Sequence, residues 1–246
     1  MSETLRAEWT KARTVSGTLW LLCGIIAATT AVGSLVTVST RCGSDNCIQD
    51  PAKISLTGIY LGQAVVAVLA VLAISDEYST GMIRVSLTAM PRRAGVLAAK
   101  AAVLAGLVFT AGAMAVLGSV LAGWLWLPGS GYNGSVSRAA FGSVLYLVLV
   151  GLLSLGVAAM VRDSAVAIGV VLSLLFVFPV VAHFIGNSTW QWHLEQVGPM
   201  TAGMAIQNTV NLGGQPIGPW AGLGVLAAWA AGAMLTGGLL LVRRDA

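Results

Sequence analysis

The chain has 246 residues, 57% of them hydrophobic and only 9% charged, with a mean hydropathy of +0.87 and a formal net charge of +4. Soluble domains carry roughly 25% charged residues, so this composition excludes a soluble protein and implies an integral membrane one. The apolar runs are continuous rather than alternating, which excludes barrel strands and leaves helices, each satisfying its own backbone polar groups in hydrocarbon.

In chain order, the stretch SETLRAEWTKARTVS comes first. Leu5, Trp9 and Ala12 form a thin apolar line flanked by Glu3, Arg6, Glu8, Lys11 and Arg13, so residues 1–16 are expected as a helix lying along the membrane surface before the first span. A hydrocarbon core of about 30 Å needs roughly 20 apolar residues in a helix. Six spans meet that length, at about 18–38, 56–75, 94–127, 139–161, 164–185 and 219–242. The first is span-length, and no small-residue cleavage site followed by a soluble mature domain is seen, so it reads as a span and not as a signal peptide. Cys23 within it is expected as a small buried residue.

Cys42 and Cys47, in RCGSDNC, fall in the loop between the first two spans. A disulfide between them is sterically permitted and stays open beside two free thiols, whereas zinc would lack its remaining ligands. GIYLG in the second span places Gly58 and Gly62 four apart, a spacing that lets helices approach closely.

The next stretch, DEYSTGMIRVSLTAMPRR at 76–93, is polar between two apolar runs. From Glu77 to Met90, Ile83, Leu87 and Met90 share one side while Glu77, Gly81, Arg84 and Thr88 take the other, so an amphipathic helix is expected. Pro91 stops it, because the residue before a proline is pushed out of the helical region. From the residues alone, such a helix either rests its basic side chains on lipid phosphates or docks on a cytoplasmic partner.

The third span is long enough to start outside the membrane, to tilt, or to break at a glycine. The fifth carries Pro179, an expected kink, and His183, expected as a hydrogen-bonded or interfacial residue. The outer segment 187–218 mixes Trp, amides, Gly and Pro; it is expected either to dip into the membrane as an exit gate or to form a solvated loop. Arg6, Lys11, Arg13, Arg84, Arg92, Arg93, Lys100, Arg162, Arg243 and Arg244 lie on one side of this topology, and only Arg41, Lys53 and Arg138 on the other. The positive-inside rule then puts both termini and the 76–93 stretch in the cytoplasm. The net charge is a topology signal and calls for no nucleic-acid partner. Trp124, Trp126, Tyr132, Trp190, Trp192 and Trp220 gather near the outer ends, as an interfacial belt does.

EWTKARTVSGTLW before the first span, followed by DEYSTGMIRVSLTAMPRR and LAAK between the second and third, resembles the ABC-2 type transporter permeases, in particular the small six-span actinobacterial ones. The resemblance rests mainly on Glu77, Tyr78, Gly81, Arg84, Pro91, Arg93 and Lys100. It implies an all-α polytopic fold forming one permease domain over 1–246. The helix between spans two and three would be the coupling element that docks on a cytoplasmic ABC ATPase subunit. On that reading Glu77 and Arg84 make polar contacts with the ATPase, and Ile83, Leu87 and Met90 pack on it or on the base of the spans. Gly81 admits a close backbone, and Pro91 fixes the turn into the third span. The implied assembly is two permeases, identical or related, with two ATPase domains in a bacterial cell membrane.

No G-x-x-x-x-G-K-[ST] occurs in the sequence, so ATP and magnesium are expected on the partner and no cofactor on this chain. Neither a catalytic nor a metal-binding residue is assigned. The serine in GLLSLG, Ser154, lacks the spacing of a nucleophile elbow and is expected to pack. The spans contain essentially no Asp, Glu, Lys or Arg, with Gln63 and His183 the notable polar exceptions, which weighs against an ion-coupled secondary transporter. A stand-alone membrane receptor or immunity protein is the other alternative. An apolar interior suits a hydrophobic or amphipathic cargo (a drug, peptide or lipid-like molecule), moved outward as in most relatives.

Overall fold

The computed structural model describes residues 2–14, 16–40, 50–79, 93–126, 135–184, 188–210 and 212–243. Among these, the helices are α1 (Ser2–Thr14), α2 (Ser16–Ser39), α3 (Pro51–Ser55), α4 (Ile59–Ser79), α5 (Arg93–Trp126), α6 (Ser135–Val161), α7 (Ser164–Leu172), α8 (Phe178–Phe184), α9 (Ser188–Val197), α10 (Pro199–Met204) and α11 (Pro219–Arg243). No strand occurs among the described residues.

Six stretches among the described residues are long and apolar enough to cross a bilayer: Ser16–Ser39, Pro51–Ser75, Gly95–Trp126, Ser135–Val161, Ser164–Phe184 and Pro219–Leu241. The fold is therefore the all-α polytopic one expected. The second span starts earlier than its apolar run, because Asp50 caps it: the carboxylate accepts from the N–H groups of Ala52 and Lys53 at 3.1 and 3.3 Å, with Pro51 in the first turn. A 3-10 turn at Leu56–Gly58 then leads into α4. The third span does not break at a glycine; α5 is one helix of 34 residues, about 51 Å long at 1.5 Å per residue.

In the fifth span, Pro179 has no N–H for the carbonyl of Leu175 and its ring crowds that carbonyl. The helix accommodates this with one π-helical turn, Ser173–Val177, so the expected irregularity lies just ahead of the proline. Spans four and five join through a short turn in which Arg162 takes φ 63° and Asp163 caps α7 by accepting from Val166 N–H at 2.8 Å.

Span four (α6) is the centre of the bundle, packed against α4, α5, α7 and α11 and buried along most of its length. The outer spans bury one stripe each. In α2 that stripe is Ile25, Thr29, Gly33 and Thr37, four residues apart, while Leu19, Trp20 and Leu35 face outward. Cys23 also lies on the exposed face, contrary to the burial expected of it, because it falls off the 25–29–33–37 stripe.

Backbones approach closely at small residues. A Cβ at Gly58 would fall on the carbonyl of Thr29, and one at Gly62 on the Thr29 hydroxyl, so the GIYLG pair seats span two against span one within the same chain. Gly156 is pressed in the same way against the backbone of Ala233 and Met234, joining spans four and six. Gly58→Val is accordingly expected to force the first two spans apart and cost about 1–3 kcal/mol. Gly169→Ala, at a site with nothing within 4 Å, is expected to change little; thermal melts in detergent followed by size-exclusion chromatography compare the two.

Candidate functional site

Two side-chain pairings define the two ends of the bundle. The end that carries α1 is called here the N-terminal face. On it, α1 lies across the start of α5 and also touches α2. The sequence makes α1 amphipathic, and the face turned to the bundle carries Glu8, whose carboxylate accepts from the Lys100 ammonium at 2.8 Å. Lys100 sits two turns into α5 and is 5% exposed; Glu8 is 18% exposed. The ion pair ties α1 to the third span between residues 92 positions apart.

Between α1 and the first three spans lies a cleft of about 120 Å³. Glu8, Lys11 and Lys100 line it together with leucines of the spans, Leu21, Leu69 and Leu104 among them. A second, shallower groove on the same stretch of α5 is lined by Arg6, Trp9, Ala102, Val103 and Gly106.

The coupling segment expected at 76–93 begins and ends on this face. Glu77 and Tyr78 belong to α4, which continues past the membrane-spanning part to Ser79, so they extend the second-span helix and do not open a separate one. Arg93 begins α5. Gly81, Ile83, Arg84, Leu87, Met90 and Pro91 lie outside the described residues, as do Cys42 and Cys47. Arg93 lies seven residues before Lys100, and Leu69, Leu72 and Ala73 of α4 line the same cleft as Glu8 and Lys100.

At the opposite face, Asp50 does more than cap span two. It accepts from the Thr209 hydroxyl at 2.6 Å, from the Thr209 N–H, and from the Val210 N–H at 3.1 Å. Burial pushes this carboxyl up, but the hydrogen bonds from Thr209, Lys53 and Val210 outweigh it and hold it below its ordinary value of 3.8. Arg138, at the start of span four, donates to the carbonyl of Asn208 at 2.6 Å, which explains a cation on this side of the topology. The segment between spans five and six is thereby tied at three consecutive residues, 208–210.

That segment is not a solvated loop. Its first helix, α9, exposes Trp190 and Trp192, but Pro199 to Gln207 are buried almost throughout, packed on α6 and α11. Below it, the Tyr146 hydroxyl donates to Gln63 Oε1, and Gln63 Nε2 contacts the Met200 sulfur at 3.5 Å. Gln63, the polar exception in span two, therefore joins spans two and four to the buried outer helix. Exposed Trp124, Trp126 and Trp220 lie at this same end, consistent with the expected aromatic belt.

The remaining candidates resolve simply. His183 is exposed, with Nδ1 3.1 Å from Gln191 Nε2. Ser154 is buried and donates to the Val150 carbonyl at 2.7 Å, a backbone tie within its own helix. Sequence reading missed the Glu8–Lys100 pair and the Asp50 clasp. The available signals were a lysine inside a span opposite a surface glutamate, and an Asp-Pro start to a helix.

The family described as ABC-2 family transporter protein matches residues 4–189 of the chain. No curated protein matches the sequence significantly.

Glu8→Gln is expected to remove the ion pair and destabilise the α1 contact by about 3 kcal/mol, toward the low end for a buried pair because Glu8 keeps some solvent. The check is hydrogen exchange, which should rise over residues 2–14 in Glu8→Gln and in Lys100→Met. For Asp50, the lowered folded pKa means its stabilisation is full above pH 3.8 and is lost as pH falls through the folded value. The melting-temperature gap between wild type and Asp50→Asn should hold constant from pH 7 to about 4 and close below that.

Proposed function

The chain belongs to the ABC-2 transporter family, and from that premise we propose that this multi-pass permease is the membrane subunit of an ATP-driven exporter, powered by a separate cytoplasmic ABC ATPase. ATP and magnesium bind on that partner. The 76–93 segment is its docking site, with Glu77, Tyr78, Arg84 and Arg93 in polar contact and Ile83, Leu87 and Met90 packed, while Gly81 and Pro91 shape the approach. Both termini and this segment then lie in the cytoplasm of a bacterial cell, as the ten-to-three distribution of Lys and Arg favours. Two copies, or this chain and a related permease, complete the transporter.

The observation that carries the reading is the position of span two. One end of it runs without interruption into Ser79, at the start of the docking segment. Its other end is headed by Asp50, which grips Thr209 and Val210 of the segment whose preceding helix is buried in the bundle. Closure of an ATPase pair against 76–93 displaces α4 and α5 as stiff rods. Through Glu8–Lys100 the same push carries α1 with α5. Displacement of α4 pulls on the Asp50 clasp and on the Gln63–Tyr146–Met200 contacts beneath it, loosening Pro199 to Gln207. The result is an opening on the far face that is coupled to ATP use on the near one. The interior offered to cargo is made of aliphatic side chains with few polar groups, which suits a hydrophobic or amphipathic molecule moving outward.

The test is a mild-detergent pull-down of the full chain from its native membrane, with co-purifying proteins identified by mass. An ABC ATPase is expected in stoichiometric amount. Glu77→Arg and Arg84→Glu are expected to reduce its recovery and the transport-coupled ATP hydrolysis at least tenfold. Recovery of the chain alone after crosslinking in the membrane would instead support a stand-alone receptor, and wild-type coupling in both variants would remove the docking role.

A further inference from the structure

Spans four, five and six leave a groove of about 670 Å³ between them, a size within the roughly 300–1,000 Å³ usual for sites that take small organic molecules. Its floor is Leu153 and Val157 of α6 and Ala233 of α11, all buried. Exposed Val197 and Trp229 stand at its rim, so it opens to the surroundings of the bundle. Among the described residues that line it, none is ionisable. Its polar hydrogens are already given within the chain. The Thr236 hydroxyl donates to the Gly232 carbonyl at 2.7 Å and lies 3.1 Å from the Met160 sulfur, and the Trp229 indole N–H donates to the Val197 carbonyl at 2.9 Å.

We propose that this groove holds the hydrocarbon tail of the cargo, and that it recognises the tail by length while leaving the head group outside. The export reading above is needed only to call the occupant cargo; the binding itself follows from the lining. A polar or charged group entering the groove would lose water and find neither charge nor free donor in exchange, whereas a hydrocarbon chain loses nothing. Length gives a second reason. The lining of α11 runs from Val225 to Thr236, about 16 Å at 1.5 Å per residue, which is about half of a hydrocarbon core of roughly 30 Å and so the length of one tail in one leaflet. Midway along it Gly232 has nothing within 4 Å of where a Cβ would stand, so a chain can lie directly against the helix.

The groove also borders the two irregular parts of this half of the bundle. Leu174, on its wall, belongs to the π-helical turn of span five, a feature that often marks a working site in a helix. Val197, at its rim, is the last residue of α9, and Gly198 follows it so close to Phe178 of span five that a Cβ there would clash with the ring. Pro199 to Gln207 come next in the chain. A displacement of that buried segment therefore moves Val197, strains its bond to Trp229 and alters the mouth of the groove. A tail seated there is held while the outer segment is packed and released when it loosens.

The test is photolabelling of the full-length chain in phosphatidylcholine vesicles with octadecanol carrying a mid-chain diazirine, the labelled peptides being located by mass. Labelling of residues 225–236 is expected to saturate. Unlabelled octadecanol and octadecyltrimethylammonium should displace it alike, because the head group stays outside, and octanol should not. Gly232→Phe is expected to lower the saturable labelling about tenfold, the equivalent of two buried methylene groups. Gly224→Phe should leave it unchanged: Gly224 is an equally open position on the same helix that does not line the groove. Labelling that rises without saturation in wild type overturns the proposal without any variant, as does displacement by octanol equal to that by octadecanol. An equal loss in both glycine variants would also overturn it, and protection of 225–236 in a crosslinked dimer would assign the groove to a second copy. The labelling needs no ATPase, so its failure is separate from failure of the export reading.

Discussion

Helices surrounded by lipid gain little from hiding apolar surface against one another, because the lipid tails are as apolar as leucine. What holds such a bundle is close contact between backbones and a small number of polar pairs. Both are visible here. Gly58 admits the Thr29 carbonyl and Gly156 admits the backbone at Ala233, so three of the six spans reach the central fourth one, or a neighbour, with no side chain between. This explains how a chain with 30 glycines and almost no charge builds a defined interior from alanine, valine and leucine.

Three of the long-range polar contacts among the described residues occupy different levels. Glu8–Lys100 lies at the N-terminal face, Gln63–Tyr146–Met200 within the bundle, and Asp50 with Thr209 and Val210 at the opposite face. Each joins segments distant in the chain, by 92, 83 and 159 residues for Lys100–Glu8, Tyr146–Gln63 and Thr209–Asp50. In hydrocarbon an unpaired polar group is costly, so each pairing restricts the bundle far more than one more leucine contact would. Span two contributes to two of the three, which makes it the mechanical link between faces. The strength of that link comes from the cost of separating the partners.

Charge also explains where the surface helix rests. Without Glu8, the contact between α1 and the third span would lose its ion pair. With it, α1 is held to the third span beside the cleft that Leu21, Leu69 and Leu104 wall.

Spans, their number and their order were legible in the sequence because hydrocarbon demands about 20 apolar residues per helix and tolerates no unsatisfied backbone. The Lys and Arg asymmetry and the amphipathic start of the chain were legible for the same reason, as local properties of composition and period. Hydropathy does not say which stripe of a uniformly apolar helix faces inward, so Cys23 was misplaced. Nor could it choose between the two readings of 187–218, within which Pro199 to Gln207 fold into the bundle. Gln63 was noticed as an exception without its partners, and Asp50 was not noticed. Those outcomes depend on residues up to 159 positions apart meeting in space, and pairing between distant segments leaves no period in the sequence; only the packing of the spans around α6 brought them together.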